Sequence, residues 1–207
     1  EGRKNMCGIV GYVGNKGAKS FLIDGLSKLE YRGYDSAGIA VLDGTSISLA
    51  KQKGRLSNLE GALKCKSSEG TIGIGHTRWA THGEPSDRNS HPHKSSKGDI
   101  AVVHNGIIEN YLELRKWLIS EGYEFFSETD TEVVPNLIHY YYEGNLFEAV
   151  VKATKKLEGS YALGVVCGDE QDKLIAVRKD SPLIVGLGNG ENFIASDIPA
   201  VIKYTRD

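Results

Sequence analysis

Short apolar runs broken by glycine alternate with amphipathic stretches along this chain. The first run, at 7–14, is too short for a helix and predicts a buried strand. Similar runs predict strands at 38–42, 47–51, 71–77, 99–104, 123–127, 160–166, 173–178, 183–187 and 192–195. Apolar residues at helical spacing predict helices over 16–31, 57–65, 107–118, 129–141 and 146–157, with a last helical segment at 198–204.

The order of these elements decides the expected fold class. Strands with one helix among them come first, helices follow, and strands return in the last quarter of the chain. A doubly wound α/β fold requires strict alternation of strands and helices, and this chain lacks it. The sequence therefore predicts an α+β protein in which antiparallel sheets are covered by helices.

Two segments between the elements carry predictions of their own. The polar stretch 80–97 contains two prolines and predicts a long loop, and loops of this length in compact domains are often lids or binding loops. Thr129, with Glu132 three positions later, matches the capping box that opens many helices.

Composition narrows the class of protein. A length of 207 residues suits one domain. The net charge is −2 with no basic cluster, which disfavours a nucleic-acid partner. The apolar runs are shorter than the roughly 20 residues of a membrane helix, which disfavours a membrane protein. The cysteines at positions 7, 65 and 167 form no CxxC motif, and this predicts reduced thiols in a cytoplasmic protein.

Cys7 is the first candidate for chemistry. It stands at the head of the first predicted strand, directly after Met6. If Met6 is a start codon and is removed, Cys7 carries a free α-amine with a pKa of about 7.7–8. A thiol and an amine on one residue form a nucleophile with its own general base. We therefore expect residues 1–6 to be a tag remnant or leader, and 7–207 to be the functional domain.

Three other positions could serve such a nucleophile, and each has a simpler alternative. Asn105 and Gly106 follow a predicted strand and could supply an oxyanion hole, although Asn-Gly is also a common turn. Arg78 could hold a carboxylate or form a surface salt bridge. Asp130 could face an ammonium group or only stabilise the first turn of a helix.

Metal and nucleotide sites are not expected. Four histidines lie near the long loop, at 76, 82, 91 and 93, but their spacing matches no common zinc pattern. They are expected to be loop and core histidines, with one of them in the active site at most. The glycine-rich stretches 11–17 and 186–190 match neither a P-loop nor a dinucleotide fingerprint. No cofactor is therefore predicted.

Six short motifs together resemble one family. They are Cys7-Gly-Ile-Val-Gly11, Glu30-Tyr-Arg-Gly-Tyr-Asp-Ser-Ala-Gly38, His76-Thr-Arg-Trp-Ala-Thr-His-Gly83, His104-Asn-Gly106, Glu128-Thr-Asp-Thr-Glu132 and Gly190-Glu-Asn-Phe-Ile-Ala-Ser-Asp197. In order and spacing the set is similar to the glutaminase domain of the glutamine–fructose-6-phosphate aminotransferases. These enzymes are class II glutamine amidotransferases with the α-β-β-α sandwich of N-terminal-nucleophile hydrolases.

The resemblance implies a role for each matching residue. Cys7 attacks the side-chain amide of L-glutamine, while Asn105 and Gly106 hold the oxyanion. Arg78 binds the α-carboxylate of glutamine, Asp130 binds its α-ammonium group, and Arg32 helps to order the nucleophile. The loop from Trp79 to Gly83 closes over the substrate, with Trp79 and His82 lining the site.

The resemblance also implies where the products go. Glutamate is released after hydrolysis of a thioester, and in the full-length enzymes the ammonia reacts with fructose 6-phosphate in a second, isomerase-type domain. Those enzymes dimerise largely through domains that this chain lacks, so a monomer is expected here. Two alternatives stay open: another class II amidotransferase, such as the one that starts purine synthesis, or a non-catalytic domain in which Cys7 is masked.

Overall fold

The computed structural model describes residues 7–64, 70–79 and 84–207. Its strands are β1 (Gly8–Val13), β2 (Ser36–Asp43), β3 (Ser46–Lys53), β4 (Ile72–Arg78), β5 (His93–Lys94), β6 (Ile100–Ile108), β7 (Gly159–Cys167), β8 (Glu170–Lys179), β9 (Ile184–Leu187) and β10 (Asn192–Ala195). Its helices are α1 (Ala18–Leu29), α2 (Leu56–Leu63), α3 (Tyr111–Ser120), α4 (Val133–Tyr141) and α5 (Leu146–Thr154), with a 3-10 turn at Ile198–Ala200. None of the described helices is long and apolar enough to span a membrane.

The described strands form two antiparallel sheets. The first sheet has the order β3-β2-β4-β1-β10-β9, and the second has the order β5-β6-β7-β8. In the first sheet β1 pairs with β4 on one side and β10 on the other, so the strand that follows Cys7 lies inside the sheet. In the second sheet β6 is likewise flanked on both sides. The two strands that carry the candidate chemistry are therefore held rigidly.

Buried apolar side chains fill three interfaces between layers. Helices α1 and α2 cover the first sheet, where Leu22 belongs to the same core cluster as Val10. The two sheets face each other through a second cluster that contains Ile74 and Val103. Helices α3, α4 and α5 cover the second sheet with a third cluster that includes Leu137. This layering confirms the predicted α-β-β-α sandwich.

Strand β6 is longer than the sequence predicts. The pattern indicates a strand that ends at His104 and an Asn-Gly turn after it, but the ladder with β7 continues to Ile108. Gly106 accommodates this with a φ of +123°, and a Cβ at that position would meet the Ser160 carbonyl oxygen at 2.1 Å. Only glycine tolerates this combination of backbone angle and contact. The turn prediction is wrong, and Asn105 is carried on a strand.

The segment 123–127 is not a strand, and the predicted capping box does not form. Glu132 is itself the residue that precedes α4, and among the described residues no side chain caps that helix. Its buried carboxylate instead accepts hydrogen bonds from the backbone N–H of Phe126 (2.8 Å), from the backbone N–H of Ser127 (2.7 Å) and from the Ser127 hydroxyl (2.6 Å). These bonds replace the ladder partners that the segment would have in a sheet.

We predict that Asn145→Ala lowers the free energy of unfolding by about 1 kcal/mol, the usual value of a helix N-cap. The Asn145 side chain caps α5 by accepting a hydrogen bond from the Glu148 N–H at 3.2 Å. Urea unfolding of the two chains measures the difference. Asn145→Asp is the matched control, since its carboxylate keeps the acceptor and should retain most of the stability. An unchanged midpoint for the alanine variant would contradict the cap.

Candidate functional site

Cys7 lies directly before β1, next to the end of β4. Gly8 pairs with Thr77 in the antiparallel ladder, and this register brings the last residues of β4 beside Cys7. The backbone N–H of Trp79 donates a hydrogen bond to the Cys7 Sγ at 3.2 Å. The thiol in turn lies 3.5 Å from the Trp79 carbonyl oxygen. The sheet thus fixes the position of the sulfur.

The surroundings of Cys7 keep its thiol protonated at neutral pH. Burial raises the pKa of the Cys7 thiol above its ordinary value, while the Trp79 N–H and the positive charges of Arg78 and Arg32 oppose this rise. A protonated thiol is a weak nucleophile and needs a general base to become reactive. The site therefore supplies stabilisation for a thiolate but requires a base to form it.

The candidate oxyanion residues lie beside Cys7. Asn105 donates a hydrogen bond from Nδ2 to the Cys7 carbonyl oxygen at 2.9 Å. Gly106 lines the cavity into which Cys7 opens, together with Arg78, Trp79, His91, His104, Thr129, Asp130 and Thr131. Two adjacent residues next to the nucleophile thus carry a side-chain amide and a backbone N–H, the two kinds of donor from which oxyanion holes are built.

Arg78 and Asp130 bring opposite charges into the same cavity. Arg78 ends β4 and is 4% exposed, whereas Asp130 precedes α4 and is 5% exposed. The Ile108 N–H donates to Asp130 Oδ2 at 2.8 Å, and the Thr131 hydroxyl donates to Oδ1 at 3.5 Å. A buried guanidinium and a buried carboxylate in one cavity can bind the carboxylate and ammonium groups of an α-amino acid.

Of the segment from Trp79 to Gly83, which is predicted to close over the substrate, the structure describes Trp79. Trp79 lines the cavity, and its ring packs edge-on against Tyr34 at a centroid distance of 5.5 Å. His82 and Gly83 lie outside the described residues. Their predicted roles in closing over the substrate stay predictions.

Arg32 lies behind the nucleophile and does not line the cavity in the described structure. Its Nη1 donates to Asp197 Oδ2 at 3.0 Å and to the Ser196 carbonyl oxygen at 3.4 Å. Tyr31 donates to the same Asp197 oxygen at 2.6 Å. These contacts do not reach Cys7, and the predicted ordering of the nucleophile by Arg32 stays a prediction. The placement of Arg32 also adds Asp197, which belongs to the last motif of the sequence but is assigned no role by it.

Gly33 shows why one of the motifs contains glycine. A Cβ at this position would meet the Arg78 carbonyl carbon at 2.7 Å and the Trp79 nitrogen at 2.8 Å. The chain after α1 therefore passes in direct contact with the backbone that holds the Cys7 sulfur. No hydrophobic pattern signals such an approach, and only the glycine itself marks it.

Four buried histidines form a layer next to the site, which the sequence does not predict as a unit. His76 and His91 stack with their ring centroids 4.1 Å apart, His93 packs edge-on against His91, and His104 lies beyond His91 at 6.4 Å. Thr131 bonds the rings of His104 (2.7 Å) and His91 (3.4 Å). Burial lowers the pKa of His76 to about 3 and lowers those of His91 and His93, so these rings are neutral. Among the described residues no group of His, Cys, Asp and Glu could hold a metal ion.

Comparison with known sequences identifies a family and several similar proteins. Residues 76–203 match the glutamine amidotransferase domain family. The chain is 70% identical over 202 residues to a glutamine–fructose-6-phosphate aminotransferase (isomerizing) of Clostridium perfringens, and 56% identical over 201 residues to one of Aquifex aeolicus. These matches cover 98% and 97% of this chain but only 33% and 34% of the relatives. The chain thus spans about a third of their length.

Solved structures show the same architecture. A glutamine phosphoribosylpyrophosphate amidotransferase of B. subtilis superposes with a TM-score of 0.83 at 26% identity, over 96% of this chain and 44% of that one. A second structure, described as the allosteric regulatory enzyme of purine biosynthesis, gives a TM-score of 0.84 at 28% identity, over 96% of this chain and 44% of that one. The chain therefore belongs to the glutamine amidotransferase family, with the N-terminal-nucleophile fold, and is homologous to the glutaminase part of the glutamine–fructose-6-phosphate aminotransferases.

Proposed function

We propose that this chain hydrolyses L-glutamine to glutamate and ammonia, with Cys7 as the nucleophile. The observation that carries the proposal is the shared cavity, where Cys7, Gly106, Arg78 and Asp130 meet and Asn105 contacts Cys7. Each group matches one part of glutamine. Cys7 matches the carbon of the side-chain amide, and Asn105 with Gly106 matches the amide oxygen. Arg78 matches the α-carboxylate and Asp130 the α-ammonium group. Domain membership supports the same reaction.

The reaction begins with loss of the thiol proton. In the form that starts at Cys7, the α-amine takes this proton and the thiolate attacks the amide carbon. Asn105 and Gly106 stabilise the negative charge that develops on the oxygen. The α-amine then donates the proton to the leaving nitrogen, and ammonia departs. Water attacks the resulting γ-glutamyl thioester with the same base, and this step releases glutamate and restores the thiol.

We further propose that the ammonia serves the synthesis of glucosamine 6-phosphate from fructose 6-phosphate in a longer, dimeric cytoplasmic enzyme. Identities of 56–70% to the fructose-6-phosphate aminotransferases, against 26–28% to the purine enzymes, favour this acceptor. Residues 7–207 would form the glutaminase domain of that enzyme and would be monomeric alone. Size-exclusion chromatography with light scattering tests the last point, and a dimer mass would contradict it.

A direct test follows the release of glutamate and ammonia from L-glutamine by the chain whose first residue is Cys7, since the chain that keeps residues 1–6 is expected to be nearly inactive. Equal amounts of both products are expected, with no need for added metal or cofactor. D-glutamine and L-asparagine are the controls, since Arg78 and Asp130 are fixed relative to Cys7 and should select both the configuration and the side-chain length. A binding module with a masked thiol would release no product and would not react with a glutamine-analogue affinity reagent.

We predict that Arg78→Leu raises the KM for glutamine by about tenfold to 150-fold and lowers kcat much less. A hydrogen bond to a charged group is worth about 1.5–3 kcal/mol, and this bond forms in both the ground state and the transition state. Initial rates over a range of glutamine concentrations measure the split. Arg88→Leu is the control because Arg88 pairs with Glu128 at the surface, with 59% of its side chain exposed.

A substrate without the α-carboxylate sharpens this prediction. The hydrolysis of 4-aminobutanamide should be slow in both chains and nearly insensitive to Arg78→Leu, because the contact is already missing. An equal loss on both substrates would show that Arg78 acts on the fold or the thiol and not on the carboxylate.

A further inference from the structure

The side chain of His76 joins the buried histidine layer to the oxyanion site. His76 lies on β4 and is 1% exposed. Its Nε2 lies 3.0 Å from the Asn105 side-chain oxygen and 3.0 Å from the His104 carbonyl oxygen. Asn105 is the residue whose amide contacts Cys7, so His76 stands one hydrogen bond away from the reacting centre.

The hydrogen-bond pattern fixes the proton on His76. Both partners of Nε2 are oxygen acceptors, so Nε2 must carry the hydrogen and donate it. The other ring nitrogen, Nδ1, is buried and has no hydrogen-bond partner among the described residues, which suits a nitrogen without a proton. His76 is thus a neutral imidazole in a single tautomer.

The same pattern fixes the orientation of the Asn105 amide. Asn105 donates from Nδ2 to the Cys7 carbonyl oxygen at 2.9 Å and accepts from His76 on Oδ1. A flipped amide would place its oxygen against the Cys7 carbonyl oxygen and its NH2 group against the donor of His76, so both contacts would become repulsive. The stacked ring of His91, 4.1 Å away and inclined by 14°, holds the plane of the His76 ring.

We propose that His76 is a positioning residue for the oxyanion hole: it holds Oδ1 of Asn105 and so fixes Nδ2 beside Cys7, where this donor can bind the oxygen that becomes negative when the thiolate attacks. The inference rests on the proposed glutamine hydrolysis. His76 does not touch the substrate and transfers no proton. Its effect is confined to the transition state, because the Asn105 donor matters most when negative charge develops on the oxygen.

The test compares His76→Leu and His76→Gln in a chain with Cys7 as its first residue. His76→Leu should lower kcat about tenfold to a hundredfold, less than the full loss of an oxyanion donor, and change KM less than threefold. His76→Gln can place an amide N–H near the position of Nε2 and should recover most of the rate. His139→Leu is the matched control. His139 lies on α4, forms a hydrogen bond with the Tyr123 hydroxyl and is outside the cavity.

Two further measurements separate positioning from a general loss of structure. An aldehyde analogue of glutamine, which forms a tetrahedral adduct with a thiol, should lose affinity in His76→Leu by the factor by which kcat/KM falls. The affinity for glutamate should stay the same. In an Asn105→Ala background His76→Leu should add less than a threefold loss, because the group it positions is gone.

The outcomes decide the inference. Equal losses of affinity for the aldehyde and glutamate, or a full additional loss in the Asn105→Ala background, would overturn it. If His76→Leu does not fold, His76→Gln decides the inference. Any loss of rate in His76→Gln must then be a fall in kcat, and this fall must be absent when Asn105 is also replaced by alanine. An inactive parent chain would refute the proposed hydrolysis itself, whereas an active parent with an unaffected, folded His76→Leu would refute only the role of His76.

Discussion

Cys7→Ala should abolish the release of glutamate, with a loss of at least about 10⁴-fold in kcat, the scale on which hydrolases lose activity with their nucleophile. The sulfur is the only protein group in the proposed mechanism that bonds to the substrate carbon. Asn105, Arg78 and Asp130 stay in place in this variant and can still bind glutamine. The expected chain is therefore folded, binds glutamine and turns over none.

Cys167→Ala is the control for this experiment. Cys167 is a buried thiol in the core under α3, α4 and α5, and burial raises the pKa of its thiol as it does for Cys7. It lies outside the cavity and should react with no glutamine analogue. Product assays, binding of glutamine by calorimetry and intact mass after affinity labelling are the measurements. Residual turnover above a few percent in Cys7→Ala, or labelling that persists in it, would show that another group is the nucleophile.

The layers of the fold follow from patterns that the sequence shows openly. Helix α1 buries Phe21, Leu22, Leu26 and Leu29 at helical spacing, and the strand after Cys7 is a short run of apolar residues and glycine. Both patterns, the helical spacing in α1 and the apolar run in β1, are local in sequence and can be seen without knowing the tertiary contacts. The order of elements along the chain then excludes a doubly wound sheet, and this is why the fold class could be predicted.

The failures occur where contacts made in the folded chain override a local pattern. Asn105-Gly106 has the composition of a turn, yet β7 pairs with it and extends β6 to Ile108. Glu132 has the spacing of a capping box, but its carboxylate is used by Phe126 and Ser127. In the first case the competing partner is about 55 residues away along the chain, so no local window contains it. In the second the partners are near in sequence, but the motif itself does not show which backbone N–H groups the Glu132 carboxylate will reach.

The residues of the candidate site likewise fall into those that the sequence predicts and those that it does not. Single residues with an evident chemical group, such as Cys7, Arg78 and Asp130, could be proposed from residue type and the resemblance. The neighbours of these residues could not: the contacts of His76 with Asn105 and of Asp197 with Arg32 exist only in the folded chain. Buried polar side chains of this kind carry no periodic signal.

The last prediction concerns the base. A chain whose first residue is Cys7 should release glutamate about 10²–10⁴-fold faster than the chain in which residues 1–6 precede it, the usual contribution of a general base. With residues 1–6 attached, the nitrogen of Cys7 is an amide and accepts no proton. Since burial raises the pKa of the Cys7 thiol and keeps it protonated, the longer chain cannot use the Cys7 nitrogen to remove that proton.

The pH dependence gives this prediction a second, independent readout. A base must be unprotonated to act, so kcat/KM of the chain that starts at Cys7 should rise with pH and level off above the pKa of the amine, about 7.7–8 in model peptides. A chain with one glycine before Cys7 is the matched control. It adds little bulk but moves the amine one residue away, so it should be slow at every pH and lack this rise.

The result that would reject the α-amine as base is equal turnover in all three chains, with intact masses that exclude trimming. The cavity then directs the search for another base. His91 and His104 line it, but burial lowers the pKa of His91, and its Nδ1 already accepts the His104 N–H at 3.3 Å. A histidine base would therefore require the buried layer to rearrange, and replacing His91 would then abolish activity. If the α-amine is the base, the same replacement lowers activity by no more than His76→Leu does, because His91 then acts only by supporting the His76 ring.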